Sequence, residues 1–327
     1  MSFKKLVMAA AFYGRFAASF TQIGYAARRL FWSPYPNEFH GQHWLVTGGS
    51  GGLGREMVIR ALHGGARVTA AARSTPKLES LARAVTAQGL SGLAVETCDF
   101  TLMADTHRLI ERLAAAQRPV DVLVNNVGVL NDGLVITPEG LEASFASNLL
   151  SHFVLTEGLL GRGLLRSGSI VVNVTSGGGY TVPLVNAALN VTDTLRFNGV
   201  LAYGMHKRAQ MVLNQYWRER YEASGIGFYV MHPGWADTAG VQRSLPRFRH
   251  AMKWVLRDAH SGVDTALWLA ATRPRQPQGE LVWFDRKIRP AHVYAHTRQS
   301  RETPQSLVDF LRTEVQRLAG SGVDSFL

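Results

Sequence analysis

The stretch HWLVTGGSGGLG, His43 to Gly54, decides the fold. Trp44, Leu45 and Val46 make a short apolar strand that runs straight into the glycine-dense segment Thr47 to Gly54 and then into a helical pattern ending near Gly64 and Gly65. Glycine at a strand-to-helix turn lets backbone amides approach a pyrophosphate, and the helix N-terminus adds positive potential there. A flexible loop is the bland alternative. The position between a strand and a helix favours the cofactor reading.

Outward from this turn the alternation continues. The next strand, Ala66 to Ala72, ends in Arg73, where many dinucleotide folds carry an acidic residue for the adenosine ribose. A guanidinium there suits a 2′-phosphate, so NADP(H) is expected over NAD(H), against a solvated arginine as the alternative. A helix over Pro76 to Gln88 leads to a strand from Ala94 to Cys98. Asp99 follows, placed either to accept from an adenine amino group or to cap the next turn. A fourth strand, Val120 to Val124, ends in NNVG, Asn125 to Gly128, which lines a crevice, braces neighbouring loops, or does both.

The pattern then predicts a long helix, Leu141 to Leu160, that carries Asn148 as an amide in apolar surroundings, either a brace or part of a polar relay. A strand from Ser169 to Val174 ends in TSGGGY, so Ser176 is delivered to the carboxyl edge of the sheet. Residues 177–202 show no clean period and read as a loop over the crevice. YGMHK, Tyr203 to Lys207, opens the following helix with a phenol and an ammonium four residues apart on one face. A neighbouring cation favours phenolate, which brings a group that titrates near ~10 closer to working pH. By itself the pair is more often an ordinary half-buried Tyr beside a solvated Lys. A strand Ile226 to Met231, the segment HPGWADT (His232 to Thr238), a lid over residues 238–258, a helix around Trp268, a last strand Leu281 to Phe284 and an amphipathic helix Leu307 to Leu318 complete the chain. The expected fold is α/β: a single doubly wound, Rossmann-type domain over residues 41–327, with a parallel sheet and helices on both faces.

Composition narrows the class. A chain of 327 residues with 46% hydrophobic content can bury a large core, and its lone cysteine, Cys98, excludes a disulfide framework or a multi-cysteine metal site. A reducing compartment, the cytoplasm, is the simplest expectation. The net charge of +11 is scattered and lacks the aromatic-basic platform that stacks bases, so nucleic acid is not an expected partner. Residues 1–40 begin with Lys4 and Lys5 and continue through an apolar run too short to span a bilayer. They resemble the start of a signal peptide, but no convincing cleavage site follows. Phe12, Phe16, Phe20 and Tyr25 predict a helix that packs on the body or lies in a membrane interface, two readings that stand level.

TGGSGGLG, NNVG, Asn148, Ser176, YGMHK and PGWADT, in this order and context, closely resemble the classical short-chain dehydrogenase/reductase family over about residues 41–290. The resemblance implies that Tyr203 exchanges a proton with a carbonyl or alcohol oxygen. Lys207 would lower the Tyr203 pKa and hold the nicotinamide ribose, Ser176 would hydrogen-bond the substrate oxygen, and Asn148 would hold a water linking Lys207 to solvent. It also implies a pyrophosphate turn at Thr47, Gly48, Ser50, Gly52, Leu53 and Gly54, the NADP-selective position at Arg73 and an adenine contact at Asp99. Asn125 and Gly128 would flank the adenosine ribose, Pro233, Gly234 and Thr238 would hold the carboxamide, and Tyr203 would join Lys207 beside the cofactor. No metal is implied, and the family often forms dimers or tetramers, so a homo-oligomer is an expectation.

Two departures stand out. NNVG replaces the commoner NNAG, and the interval between Ser176 and Tyr203 is roughly twice the usual one, which bears on the substrate pocket and not on the catalytic set. Glycosylation sequons at Asn173 and Asn190 are discounted, the first because it falls in a buried strand. The expected activity is hydride transfer between NADP(H) and an apolar small-molecule carbonyl or alcohol. The alternative is a catalytically silent NADP-binding regulatory or scaffold protein, for which all four of Asn148, Ser176, Tyr203 and Lys207 would be superfluous.

Overall fold

The computed structural model describes residues 14–237, 242 and 246–319. Eight strands form one sheet in the order β3-β2-β1-β4-β5-β6-β7-β8. They are β1 His43–Thr47, β2 Arg67–Ala72, β3 Leu93–Thr97, β4 Val122–Asn125, β5 Ile170–Val174, β6 Gly227–Met231, β7 Leu281–Phe284 and β8 Lys287–Pro290. The pairings from β3 through β7 are parallel, and β8 returns antiparallel to β7. The doubly wound expectation therefore holds. β8 is an addition, reached by a two-residue turn in which Asp285 and Arg286 both take positive φ. That conformation is usually signalled by Asn-Gly, and Asp-Arg hides it.

The helices are α1 Gln22–Arg29, α2 Gly52–His63, α3 Thr75–Ala87, α4 Met103–Ala115, α5 Ser151–Gly161, α6 Gly199–Arg220, α7 Pro246–Met252, α8 Ala259–Thr272 and α9 Pro304–Ala319. The central strands β1, β4 and β5 are buried along their whole length, as parallel strands covered on both faces must be. One face packs α2, α3 and α8 through Val46, Val58, Leu78 and Leu267, and the other packs α4, α5, α6 and α9 through Leu45, Leu109, Phe153 and Trp217. The C-terminal helix belongs to this second core: Leu307, Val308, Leu311, Val315 and Leu318 are all buried in it.

The lead before β1 joins the body along its described length. Residues 14–20 are helical, and Phe16 and Phe20 pack with Tyr180, Val282 and Phe284. Tyr25 of α1 is buried as well. Phe12 lies outside the described residues. Among the described residues no helix is long and apolar enough to cross a membrane.

Candidate active site

Parallel strands deliver the residues that follow them to one edge of the sheet. The turn after β1, Arg73 after β2, Asp99 after β3, Asn125 to Gly128 at the end of β4, Ser176 after β5 and Pro233–Gly234 after β6 all lie there. Thr238 lies outside the described residues.

The chemistry-bearing cluster forms where the turn after β5 meets α6. A short 3-10 helix, Gly177–Tyr180, lies on α6 with almost no side chain between the backbones. A Cβ on Gly179 would stand 2.8 Å from Met211 Cε and 3.0 Å from backbone atoms of Lys207 and Arg208, and one on Gly178 would touch the Tyr203 ring. The Thr175 hydroxyl donates to the Lys207 carbonyl at 2.8 Å and locks the two elements. Ser176, the N-cap of the 3-10 turn, is brought beside the Tyr203 hydroxyl, close enough to pull its pKa down. Lys207 Nζ sits 5.5 Å from the Tyr203 ring centroid.

In this structure Lys207 bonds through its amine to the strand end beneath Tyr203. Its side chain is buried, and Nζ donates to the Val174 carbonyl at 2.9 Å. Burial lowers its own pKa from 10.5 to about 7. The Tyr203 pKa is raised by burial, and Ser176 beside it opposes the rise.

Asn148 sits in a π-helical turn, Ala146–Leu150, leading into α5. Such turns recur at functional sites. Its Oδ1 accepts from the Val129 N–H and its Nδ2 donates to the Val129 carbonyl, both at 2.7 Å. The amide thus clamps the segment after β4 with one lone pair of Oδ1 and one N–H of Nδ2. Its main-chain carbonyl accepts from Gln210 Nε2 at 2.6 Å. Gln210 also meets His152 Nδ1 at 3.1 Å, while His152 Nε2 faces the Val127 carbonyl. A carbonyl can only accept, so Nε2 carries the proton. Burial lowers the His152 pKa to about 3 and keeps it neutral.

The glycine turn has the shape a phosphate needs. Gly48 and Gly52 take positive φ, and a Cβ on Gly54 would overlap the Gly48 carbonyl. A Cβ on Gly51 would meet nothing within 4 Å, so the turn is open on its outer side. Ser50 and Leu53 are half-buried in it. Arg73 is exposed and makes no ion pair with a described residue. Asp99 caps the following turn, its Oδ1 accepting from Thr101 N and Oγ1 at 2.9 and 2.8 Å, while Oδ2 has no described partner. Gly128 leaves space beside Lys207 Nζ and Asn148 Oδ1 that a Cβ would enter. These residues fit a dinucleotide with a free cation at its adenosine end.

Two expected contacts are internal. Thr47 is buried: its hydroxyl donates to the Val124 carbonyl at 3.2 Å and accepts from the amides of Asn126 and Val127. It ties the ends of β1 and β4. Asn125 is also buried, its amide donating to Thr156 Oγ1 and Asn173 Oδ1 at 3.0 and 2.9 Å, so it braces β4 against β5. The residue missed between them is Asn126, whose Nδ2 donates to the Thr47 carbonyl at 2.8 Å and presses against Gly48 and Gly54. The doubled Asn of NNVG was the available signal.

Also missed was the wall around Pro233 and Gly234. Gly234 takes positive φ, its N–H donates to His232 Nδ1 at 2.7 Å, and a Cβ on it would overlap the Arg257 guanidinium. Arg257 is buried, pairs with Asp285 at 2.7 and 2.9 Å and donates to the Phe20 carbonyl at 3.0 Å. Phe20 packs on His232 at 4.5 Å and on Trp235 at 5.7 Å. No local pattern links Phe20, Arg257 and Asp285, which are far apart in the chain.

The buried amine makes a measurable statement. Because protonation of Lys207 is costlier in the folded chain, the unfolded chain binds more protons between about pH 7 and 10.5, and stability rises with pH across that window. Lys207→Met, without cofactor, should flatten that part of the rise in urea midpoints. A slope identical to that of the unaltered protein would mean that the amine reaches water.

Comparison with known proteins agrees with this geometry. A family model described as short chain dehydrogenase matches residues 42–247, so α8, β7, β8 and α9 lie beyond it. Dehydrogenase/reductase SDR family member 12 of Bos taurus is 30% identical over 95% of this chain and 99% of its own length. Retinol dehydrogenase 11 of Homo sapiens is 29% identical over 70% of this chain and 72% of its own. Among solved structures, a protein of Mycobacterium paratuberculosis superposes with a TM-score of 0.67 at 22% identity, covering 86% of this chain and 97% of its own. A short chain dehydrogenase of Burkholderia cenocepacia in complex with NADP gives 0.60 at 21%, covering 75% and 96%. The two structures bear on the fold, and the family match and full-length relative go further: this chain belongs to the short-chain dehydrogenase/reductase family of oxidoreductases acting on CH–OH and C=O groups.

Proposed function

We propose that this chain is an NADP(H)-dependent oxidoreductase for an apolar carbonyl or alcohol, with Tyr203 as the proton donor and acceptor. The observation that carries the reading is the packing of the 3-10 turn after Ser176 directly on α6 at the carboxyl edge of the sheet, which sets Ser176 beside Tyr203 with the Lys207 amine 5.5 Å from the Tyr203 ring. The cofactor, when bound, would supply the hydride to a carbonyl or accept it from an alcohol. The protein binds it at Gly48 to Gly54, with Arg73 toward the 2′-phosphate and Asp99 toward the adenine. Two hydroxyls then hold the substrate oxygen, and Tyr203 moves the proton as charge changes there. Protonated Lys207, released from Val174, would hold the nicotinamide ribose and favour the phenolate. Relatives whose names specify retinol support an apolar substrate.

Tyr203→Phe should lower kcat by about 10²- to 10⁴-fold with NADPH affinity retained, as read by steady-state assay on an aldehyde, steroid and retinoid panel. NADPH binding with no turnover across the panel would favour the silent scaffold. Arg73→Ala should weaken NADPH by roughly ten- to a hundredfold, the worth of a charge-assisted hydrogen bond, and leave NADH unchanged. Equal loss for both cofactors would remove Arg73 from the 2′-phosphate.

A second reading concerns the lead. Its aromatic residues Phe16, Phe20 and Tyr25 face the body, but Ile23, Ala26, Ala27 and Leu30 form an exposed stripe at helical spacing. Leu30 is 82% exposed, Phe31 87% and Trp254 86%. Arg29 and Lys253 are exposed beside them, and the Gln22 N–H bond to the Val255 carbonyl at 2.8 Å joins the two segments. We propose that this face rests on an anionic bilayer. The protein should float with phosphatidylserine-containing vesicles and a Leu30→Glu/Phe31→Glu/Trp254→Glu variant should not; flotation of both alike would sink the proposal.

A further inference from the structure

The loop between Ser176 and Tyr203 divides into two unequal halves. Residues 191–198 are mostly exposed and carry only local hydrogen bonds among the described residues, such as Leu195 N–H to Asp193 Oδ1 at 2.9 Å. The earlier half, from Thr181 to Asn190, is attached to the C-terminal segment at successive points. His296 Nε2 meets the Thr181 carbonyl at 3.0 Å, and the Ser300 hydroxyl donates to the Leu184 carbonyl at 2.8 Å. The Asn186 amide donates to Glu302 Oε2 at 2.9 Å, and its backbone N–H donates to Glu302 Oε1 at 3.3 Å. Leu184 and Leu189 are buried in the same core as Leu307 and Leu311.

Asn190 extends the connection. Its Nδ2 donates to Glu314 Oε2 at 2.8 Å, and its Oδ1 accepts from the Glu142 N–H at 3.0 Å. The Glu142 carboxylate caps the helical segment that leads to Asn148, accepting from Ser144 N and Phe145 N at 2.8 and 2.7 Å. One asparagine therefore bridges α9, the loop and the start of the element that clamps Val129. Unbonded, a loop of this length would sample many shapes, since ordering each residue costs conformational entropy. Carboxylate acceptors make the stronger class of hydrogen bond, which suits them to hold it in one shape.

We infer that Glu302 and Glu314 are positioning residues that set the substrate range, by fixing residues 181–190 over the crevice. The inference rests on the proposed reaction for what the loop contacts, but not for what holds it. The two carboxylates act through Asn186 and Asn190 and touch neither cofactor nor reacting atoms. They lie beyond residues 42–247, the part matched by the family model.

The test uses the full chain with NADPH, a Glu302→Ala/Glu314→Ala variant and a Glu302→Gln/Glu314→Gln variant that retains an acceptor oxygen. In the Ala variant, amide exchange over residues 181–190 should accelerate by at least about tenfold, the worth of a charged hydrogen bond, while α6 stays protected. KM for long-chain aliphatic aldehydes should rise by about the same factor, with kcat and the NADPH Kd unchanged. The Gln variant should recover most of both effects. Unchanged exchange would overturn the positioning role, and faster exchange with unchanged KM would overturn the link to substrate range. If the unaltered protein turns over no member of the aldehyde, steroid and retinoid panel, the proposed reaction fails, and the exchange experiment still decides whether the carboxylates hold the loop.

Discussion

The catalytic edge depends on two backbones lying in contact. The 3-10 turn Gly177–Tyr180 rests on α6 because glycines 178, 179 and 204 present no side chain at the contact. Ser176 and Tyr203 come from segments separated by a long loop, and a single methyl group at Gly179 would stand too close to Met211 and the α6 backbone. The Thr175 hydroxyl, bonded to the Lys207 carbonyl, ties the same two elements just before the turn. Geometry at this edge is thus a packing property, and hydrogen bonding refines it.

A second constraint acts at the end of β6. The Pro233–Gly234 turn is held by Arg257, which is held in turn by Asp285 and by the carbonyls of the N-terminal lead. Such a buried ion pair adds little net stability over an apolar alternative, but losing one partner costs about 3–5 kcal/mol. Its consequence is a unique arrangement: the lead, the β7–β8 turn and the β6 turn assume their places together. The buried histidines follow the same logic. His152 and His232 are pushed down to about 3 and His206 to about 4 by burial, so all three serve as neutral connectors. His206 joins α6 to the loop through the Leu189 carbonyl at 2.8 Å.

Much of the fold was legible because parallel strands and amphipathic helices repeat locally. The phosphate turn, NNVG, TSGGGY and YGMHK are short, and each follows or opens an element whose period can be read. What escaped has a common cause. Asp285 and Arg286 make a hairpin without the usual turn residues, α6 begins a turn before Tyr203 because Asn198 caps it, and Thr47 and Asn125 look like ligand contacts while bracing strands. A polar residue at a strand end reads the same whether it faces the crevice or the interior.

By itself the sequence determined the doubly wound sheet, the edge at which chemistry sits and the residue types brought to it, since these follow from local period and strand-end position. Only the tertiary structure decided which of those side chains are free to meet a ligand, how Lys207 stands toward Tyr203, and what holds the loop before Tyr203. Those depend on contacts between residues far apart in the chain, such as Glu314 with Asn190 and Arg257 with Phe20. Such contacts exist only once the core has brought their elements together.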